Sequence, residues 1–113
     1  MKFTQLSLIL SEVSWQPAAD VYHCPEGWLV KFDLAGVPPE EVEVSVCGRY
    51  LIVSGIRRDW VMQADHRFYS MEISYNRFQR SVELPCDLDA AQVNIDYRYG
   101  MLLVRLSLEG TEP

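Results

Sequence analysis

The histidines and cysteines are the side chains most able to bind a metal or act as nucleophiles in this 113-residue chain. A metal or nucleophilic site needs such residues at short, regular spacing, as in Cys-x-x-Cys or His-x-x-x-His segments. His23 and His66 form no such pair, and Cys24, Cys47 and Cys86 are dispersed singly. Surface histidines and small apolar thiols explain them better than a metal or redox site. The odd, scattered set of thiols favours a reducing compartment, so we expect a cytoplasmic protein.

Carboxylates and one serine are the remaining candidates for catalysis. Glu40, Glu41 and Glu43 cluster, but on a loop and the outward face of a strand, where solvated charge explains them better than general acid–base work. Ser54 lacks the Gly-x-Ser-x-Gly frame of a nucleophile elbow. The six glycines are isolated, and none begins a phosphate-binding loop. We therefore expect neither an enzyme nor a bound cofactor.

Composition and charge restrict the partners. With 49% hydrophobic and 23% charged residues, the chain has the composition of one globular domain. Its net charge of −6 argues against nucleic acid and anionic membranes, because both require a basic face. The first ten residues are apolar in tendency, but they match neither a signal peptide nor a bilayer span. The expected partners are therefore other proteins.

The stretch 42–55, VEVSVCGRYLIVSG, is the one around which the other elements are arranged. Val42, Val44 and Val46 alternate with polar or small residues, which is the two-residue period of a half-buried strand. Gly48-Arg49 interrupts the run, and an almost wholly apolar strand follows at 50–53. Two strands joined by a short Gly-containing turn predict a β-hairpin whose valine face needs a second sheet.

Short strands and turns follow one another along the rest of the chain. Strands are expected at 21–23, 28–34, 68–73, 79–84, 93–97 and 101–106, and no long helix is supported. The pattern predicts an all-β fold, an immunoglobulin-like two-sheet antiparallel β-sandwich over residues 15–108. Residues 1–14 form an N-terminal arm and 109–113 a C-terminal tail. The charged connection 56–67 contains Trp60, Val61 and Met62, which in a loop would need a cover.

Several motifs, in this order and spacing, resemble the α-crystallin domain of small heat shock proteins, the Hsp20 family. They are Trp15-x-Pro17-x-x-Asp20-Val21, Leu34-Ala35-Gly36-Val37 with Glu40-Glu41-Val42, Leu51-Ile52-Val53-Ser54-Gly55, Phe78-x-Arg80-x-Val82-x-Leu84-Pro85 and Gly100-Met101-Leu102. Ile95 and Glu83 depart from the family's usual Ala and basic residue. The C-terminal Ile-x-Ile tail of the family is not found in 108–113. The bacterial type of the family is the better match.

The resemblance implies an ATP-independent holdase, a chaperone that binds partly unfolded clients. It also implies a groove for the client or a terminal arm, lined by Val42, Val44, Val46, Val93 and Ile95. Which face of each strand lines this groove is left open by the sequence. Leu6, Leu8 and Leu10 form an arm motif that either occupies the groove, in this molecule or a neighbour, or belongs to a disordered arm.

The resemblance further implies a strand-swapped homodimer, in which a strand of the 56–67 loop pairs with the first strand of a partner. The expected interface residues are Val21, Tyr22, Trp60, Val61, Met62 and Arg80. Without the family's tail we expect a dimer or small oligomer, with co-assembly with a longer small heat shock protein as a further possibility. The alternative is a CS-type, p23-like co-chaperone, which has a similar sandwich but is usually monomeric and docks a specific folded partner.

Overall fold

The computed structural model describes residues 13–108 of the chain, and this part contains seven strands in two antiparallel sheets and one short 3-10 helix, Pro39–Glu41. The strands are β1 (Ala19–Cys24), β2 (Gly27–Asp33), β3 (Val42–Cys47), β4 (Tyr50–Arg57), β5 (Asn76–Glu83), β6 (Gln92–Arg98) and β7 (Met101–Ser107). One sheet has the order β1-β2-β7-β6 and the other β3-β4-β5. The predicted all-β sandwich is confirmed. The described residues include no helix of the length and apolarity that a bilayer crossing requires.

The central hairpin forms as expected, with β3 and β4 paired from Val42 opposite Gly55 to Cys47 opposite Tyr50. The turn between them begins with Gly48, whose φ of 61° lies in the left-handed region. Glycine adopts this conformation without the steric cost that a Cβ brings, and it is the usual first residue of a tight hairpin turn of this kind. The local sequence therefore fixes the register of the hairpin.

The core lies between the two sheets, where strands β2, β4, β5 and β7 contribute alternate residues. Val30 and Phe32 of β2 are fully buried, and so are Leu51 and Val53 of β4. The complete cluster is Val30, Phe32, Leu34, Val37, Leu51, Val53, Phe78, Val82, Leu84, Leu88, Leu102, Val104 and Leu106. Since β2, β4 and β7 are inner strands of their sheets, they supply most of this cluster, and the edge strands β1, β3 and β6 close it only partly.

The prediction of a strand at 68–73 is wrong for this chain by itself. No strand lies between Arg57 and Asn76, and the large side chains of Phe68, Tyr69 and Ile73 are exposed. Alternation specifies a strand only when one face is buried against another layer and a neighbouring strand accepts its hydrogen bonds. Neither condition is met for this segment within the described part of the chain.

One border of the sandwich, between β5 and β1, is closed by the segment that leads into β1. Trp15 forms a parallel bridge with Phe78 of β5. Arg80 donates from Nη1 to the carbonyl oxygen of Pro17 at 3.0 Å, and the amide of Asp33 donates to Ala18 at 3.0 Å. The segment 15–18 thus ties the two sheets together along this border. The opposite border, between β3 and β6, has no such segment among the described residues.

Candidate binding groove and dimer surface

The open border is formed by β3 and β6, which are the last strands of their respective sheets. At one end, the amide of Leu88 donates to the Gly48 carbonyl at 2.7 Å, and the Gly48 amide donates to Oδ1 of Asp89 at 2.9 Å. At the other end, the Tyr97 hydroxyl donates to the carbonyl oxygen of Leu34 at 2.8 Å. Gly48 follows β3 and Asp89 precedes β6, so the two strands run in opposite directions along the same border.

The register of β6 shows which face of each edge strand points inward. Val93 lies opposite Leu106 of β7 and Ile95 opposite Val104, and directly opposed residues of a sheet share a face. Leu106 and Val104 are buried in the core, whereas Val93 is 39% exposed and Ile95 53%. The side chains of Val93 and Ile95 therefore continue the apolar inner face of the sheet to its open edge.

The valines of β3 are placed in the same way on the other sheet. Val44 lies opposite Val53 and Val46 opposite Leu51, and both partners belong to the core. Val42, Val44 and Val46 are themselves half-buried and packed against that core. We use the term edge groove for the border lined by Val42, Val44, Val46, Val93 and Ile95. The five predicted residues thus lie on the inner faces of the two edge strands that flank this border, and their common role in binding stays a prediction.

The edge groove offers backbone groups as well as apolar side chains. Within residues 13–108, β3 and β6 are each paired on one side only, so the outward-pointing amides and carbonyls, those of every second residue, have no partner strand there. Six of the seven residues of β6 are exposed. Exposed edge strands of this kind are the sites at which an extended peptide can be added to a sheet as a further strand.

Tyr97 closes the far end of the edge groove, and the sequence analysis did not select it. It lies opposite buried Leu102, on the same face as Val93 and Ile95. Burial raises the pKa of its phenol above the ordinary value. The neutral, hydrogen-donating form is therefore favoured in the folded protein. The alternation of Val93, Ile95 and Tyr97 was the signal in the sequence that could have identified it.

Replacing Tyr97 by phenylalanine is expected to lower the free energy of unfolding by about 1 kcal/mol at neutral pH, the usual net contribution of one such hydrogen bond. The loss stays small because Leu34 still accepts from the Val37 amide. The pKa of the Tyr97 phenol is higher in the folded protein than in the unfolded chain. The contribution of the phenol to the free energy of unfolding is therefore fully present below the pKa of the unfolded chain, and it is lost as the pH rises through the pKa of the folded protein. The difference from wild type should therefore shrink above about pH 10.

Urea titrations of both proteins at neutral and alkaline pH measure this difference. Tyr99→Phe is the matched control, since Tyr99 lies nearby on the exposed β6–β7 turn and should leave the unfolding midpoint unchanged. A Tyr97→Phe variant as stable as wild type at neutral pH would contradict the assignment of Tyr97 as the anchor between β6 and the loop before β3.

The predicted dimer residues lie in two places on one chain. Trp60 is 79% exposed, and Val61 and Met62 beside it are also exposed. Val21 and Tyr22 are exposed on β1, the edge strand at the other end of the four-stranded sheet from β6. Trp60 lines a hollow with Pro38 and Tyr97, so a single chain does not bring it to β1. The pairing of these two surfaces across a dimer stays a prediction.

The structure adds four exposed apolar residues to this loop, namely Phe68, Tyr69, Met71 and Ile73. Arg80, the sixth predicted interface residue, is partly buried and donates to Pro17 of its own chain. Its position at a subunit interface stays a prediction. The arm motif Leu6, Leu8 and Leu10 lies outside the described residues.

No cluster of three or more histidine, cysteine, aspartate or glutamate side chains in the described range could hold a metal ion. The three cysteines are free. The described side chains with catalytic potential are thus dispersed. The feature of the open border is apolar surface beside the edge strands β3 and β6.

A model of the Hsp20/alpha crystallin family matches residues 20–113. This chain belongs to that family. The Hsp20 chain is 34% identical over 90 residues to spore protein SP21 of Stigmatella aurantiaca, covering 80% of this chain and 53% of that protein. It is 36% identical over 81 residues to the 16.9 kDa class I heat shock protein 1 of Triticum aestivum, covering 71% of this chain and 54% of the relative. The chain therefore spans little more than half the length of these relatives.

Solved structures agree with the family assignment. HspA from Xanthomonas axonopodis superposes with a TM-score of 0.72 at 26% identity, over 86% of this chain and 97% of that one. A small heat shock protein from Xylella fastidiosa, described as having a distinct high order structure, gives a TM-score of 0.69 at 25% identity, over 88% and 92% of the two chains. The two-sheet sandwich of the Hsp20 chain is thus the α-crystallin domain fold.

Proposed function

We propose that this Hsp20 chain is an ATP-independent holdase, which binds partly unfolded proteins and prevents their aggregation. The observation that supports this most directly is the edge groove, where Val93 and Ile95 are exposed on the inner face of an edge strand. Unfolding proteins expose apolar side chains and unpaired strands, and the groove is complementary to both. Backbone hydrogen bonds bind an extended segment with little dependence on its sequence.

Binding of this kind needs no nucleotide. A protein that binds the unfolded state in preference to the native state withdraws it from aggregation by mass action alone. We infer from the membership of a chaperone family that the chain acts by binding and is not an enzyme. The family membership supports a chaperone role.

The chain acts, in this proposal, as a strand-swapped homodimer. The exposed Trp60, Val61 and Met62 would pair with Val21 and Tyr22 of a partner, so that each contact is made twice about a two-fold axis. A longer small heat shock protein could take the partner's place through the same surfaces. Three free cysteines, at positions 24, 47 and 86, support a cytoplasmic location, where thiols stay reduced.

Light scattering of a heat-labile client, measured with and without the protein and without ATP, tests the proposed function. We expect the scattering to fall as the molar ratio of the protein to the client rises, because bound unfolded client is withdrawn from aggregation. The control is an equal mass of an inert acidic protein of similar size, which should leave the scattering unchanged. Aggregation that proceeds equally in both samples would contradict the holdase proposal.

A further inference from the structure

The turn between β6 and β7 contains a tyrosine in an unusual backbone conformation. Arg98 lies opposite Met101, so the turn consists of Tyr99 and Gly100, whose φ angles are 54° and 78°. Two positive φ angles are typical of a type I′ turn, where the first central residue is usually asparagine, aspartate or glycine. A bulky aromatic residue is a conformational outlier in this region. Tyr99 is therefore a poor residue for the turn itself.

The Tyr99 side chain does not offset this cost inside its own chain. It is 94% exposed, and among residues 13–108 it has neither a hydrogen-bond partner nor a ring contact. Strained positions of this kind are concentrated at sites that hold a ligand. A contact with another molecule therefore explains the tyrosine, whereas the folding of the turn does not.

The turn is attached to the segment that precedes β3. The Leu34 amide donates to the carbonyl oxygen of Gly100 at 2.9 Å. A Cβ atom at position 100 would lie 3.1 Å from the Cα of Ala35, so the turn and this segment are in direct contact. Pro38 follows Ala35 by three residues. Tyr99 and the start of the proline pair thus lie at the same end of the sandwich.

An apolar hollow of about 430 Å³ lies at this end. Its lining includes Val37, Pro38, Pro39, Trp60 and Tyr97. A hollow of this size, walled by rings and prolines, is suited to one large apolar side chain. Tyr97 also closes the far end of the edge groove, since it shares a face with Val93 and Ile95. The hollow therefore continues the edge groove beyond the last residues of β6.

The pairing of β6 shows where an added client strand would leave the sheet. A two-residue turn closes with a hydrogen bond between its flanking residues, so the backbone groups of Arg98 point toward β7. Backbone groups alternate in direction, and those of Val93, Ile95 and Tyr97 point toward the open border. An added strand therefore pairs last at Tyr97, and its next residues pass the hollow and the turn.

We propose that this end of the edge groove is a second contact site for clients, where one aromatic client side chain lies in the hollow beside Tyr99. The proposal rests on the holdase function proposed above and adds a preference in client sequence. Backbone pairing along β6 binds extended segments with little dependence on sequence, whereas the hollow favours segments that end in an aromatic residue. An aromatic ring offers a large apolar area and specific ring contacts to such walls.

Two labelled peptides test the proposal by fluorescence anisotropy with the full chain. One is Phe-Gly-Thr-Val-Thr-Val-Thr-Gly-Phe, and the other has alanine in place of both phenylalanines, so either strand direction is covered. We expect wild type to bind the phenylalanine peptide about tenfold more tightly, as for one well-packed aromatic contact. Tyr99→Asn should reduce this ratio to about threefold or less.

The same Tyr99→Asn protein should unfold at a higher urea concentration than wild type, because asparagine tolerates the left-handed region. A gain in stability combined with a loss of peptide preference separates a binding role from a structural one. Tyr99→Phe, which keeps the ring, should retain the ratio. Pro39→Ser, in the wall of the hollow, should lower it as Tyr99→Asn does.

The matched control is Tyr50→Asn, which removes an exposed tyrosine beside the β3–β4 turn, at the other end of the edge groove. It should keep the tenfold preference. Equal binding of both peptides to wild type would overturn the proposal while leaving the edge groove as a client site. A Tyr99→Asn or Pro39→Ser protein that keeps the full preference would overturn it as well. Failure of both peptides to bind wild type would contradict the groove function too.

Discussion

Replacing Val93 and Ile95 together by serine is expected to abolish most of the protection of a heat-denatured client. A fully buried aliphatic side chain contributes about 1.5–3 kcal/mol, and half of each side chain is available to a client. The pair should therefore lose roughly 1.5–3 kcal/mol of binding, which weakens the complex by about 10- to 150-fold. Light scattering of the client over a range of chaperone concentrations measures the loss.

Stability must be measured alongside, because both residues lie on the inner face of β6. The double substitution should cost roughly 1.5–3 kcal/mol of unfolding free energy, since about half of each side chain is buried in the folded chain. Asn94→Ser, on the outer face of the same strand, is the matched control and should protect the client fully. A folded Val93→Ser, Ile95→Ser protein that protects as well as wild type would show that clients bind elsewhere.

Replacing Trp60 and Met62 by serine is expected to convert the proposed dimer into monomers. Large side chains at the centre of an interface typically cost about 2 kcal/mol or more each when truncated, and two-fold symmetry doubles the number of lost contacts. The dissociation constant should therefore rise by roughly 1,000-fold or more. Sedimentation velocity over a range of concentrations gives the mass of both proteins.

The control for this experiment is the pair Gln63→Ser and Ala64→Ser, which alters the same exposed loop without removing a large apolar side chain. It should leave the mass unchanged. A Trp60→Ser, Met62→Ser protein that remains dimeric would contradict the strand exchange. A wild-type chain that is monomeric at all concentrations would favour the CS-type alternative, in which a monomeric sandwich docks a folded partner.

The strands inside the sandwich could be predicted because their burial is determined within the chain. Val42, Val44 and Val46 alternate, and the face they define packs on a sheet formed by the same molecule. The alternation of Phe68 and its neighbours is similar, but the described chain offers no layer to cover it. A two-residue period indicates that one face is suited to burial. A strand forms only if the chain also supplies a neighbouring strand and a layer that covers this face.

The edge groove was predicted by residue type, but its geometry was not. The resemblance indicated Val93 and Ile95, and only the pairing with β7 shows which way they point. The hydrogen bond from Gly48 to Asp89 joins residues 41 positions apart, and no local pattern indicates it.

The positions of β1 and β6 at opposite ends of one sheet have a consequence for how clients are held. The proposed dimer, built through β1, would leave both edge grooves open, one on each subunit, and would therefore be bivalent for a client. An unfolded chain tethered at one groove meets the second at a high effective concentration, and two weak attachments can together exceed either one by roughly 10²–10⁴. Retention of a client then depends on avidity, and a refolding segment that leaves one groove begins its own release.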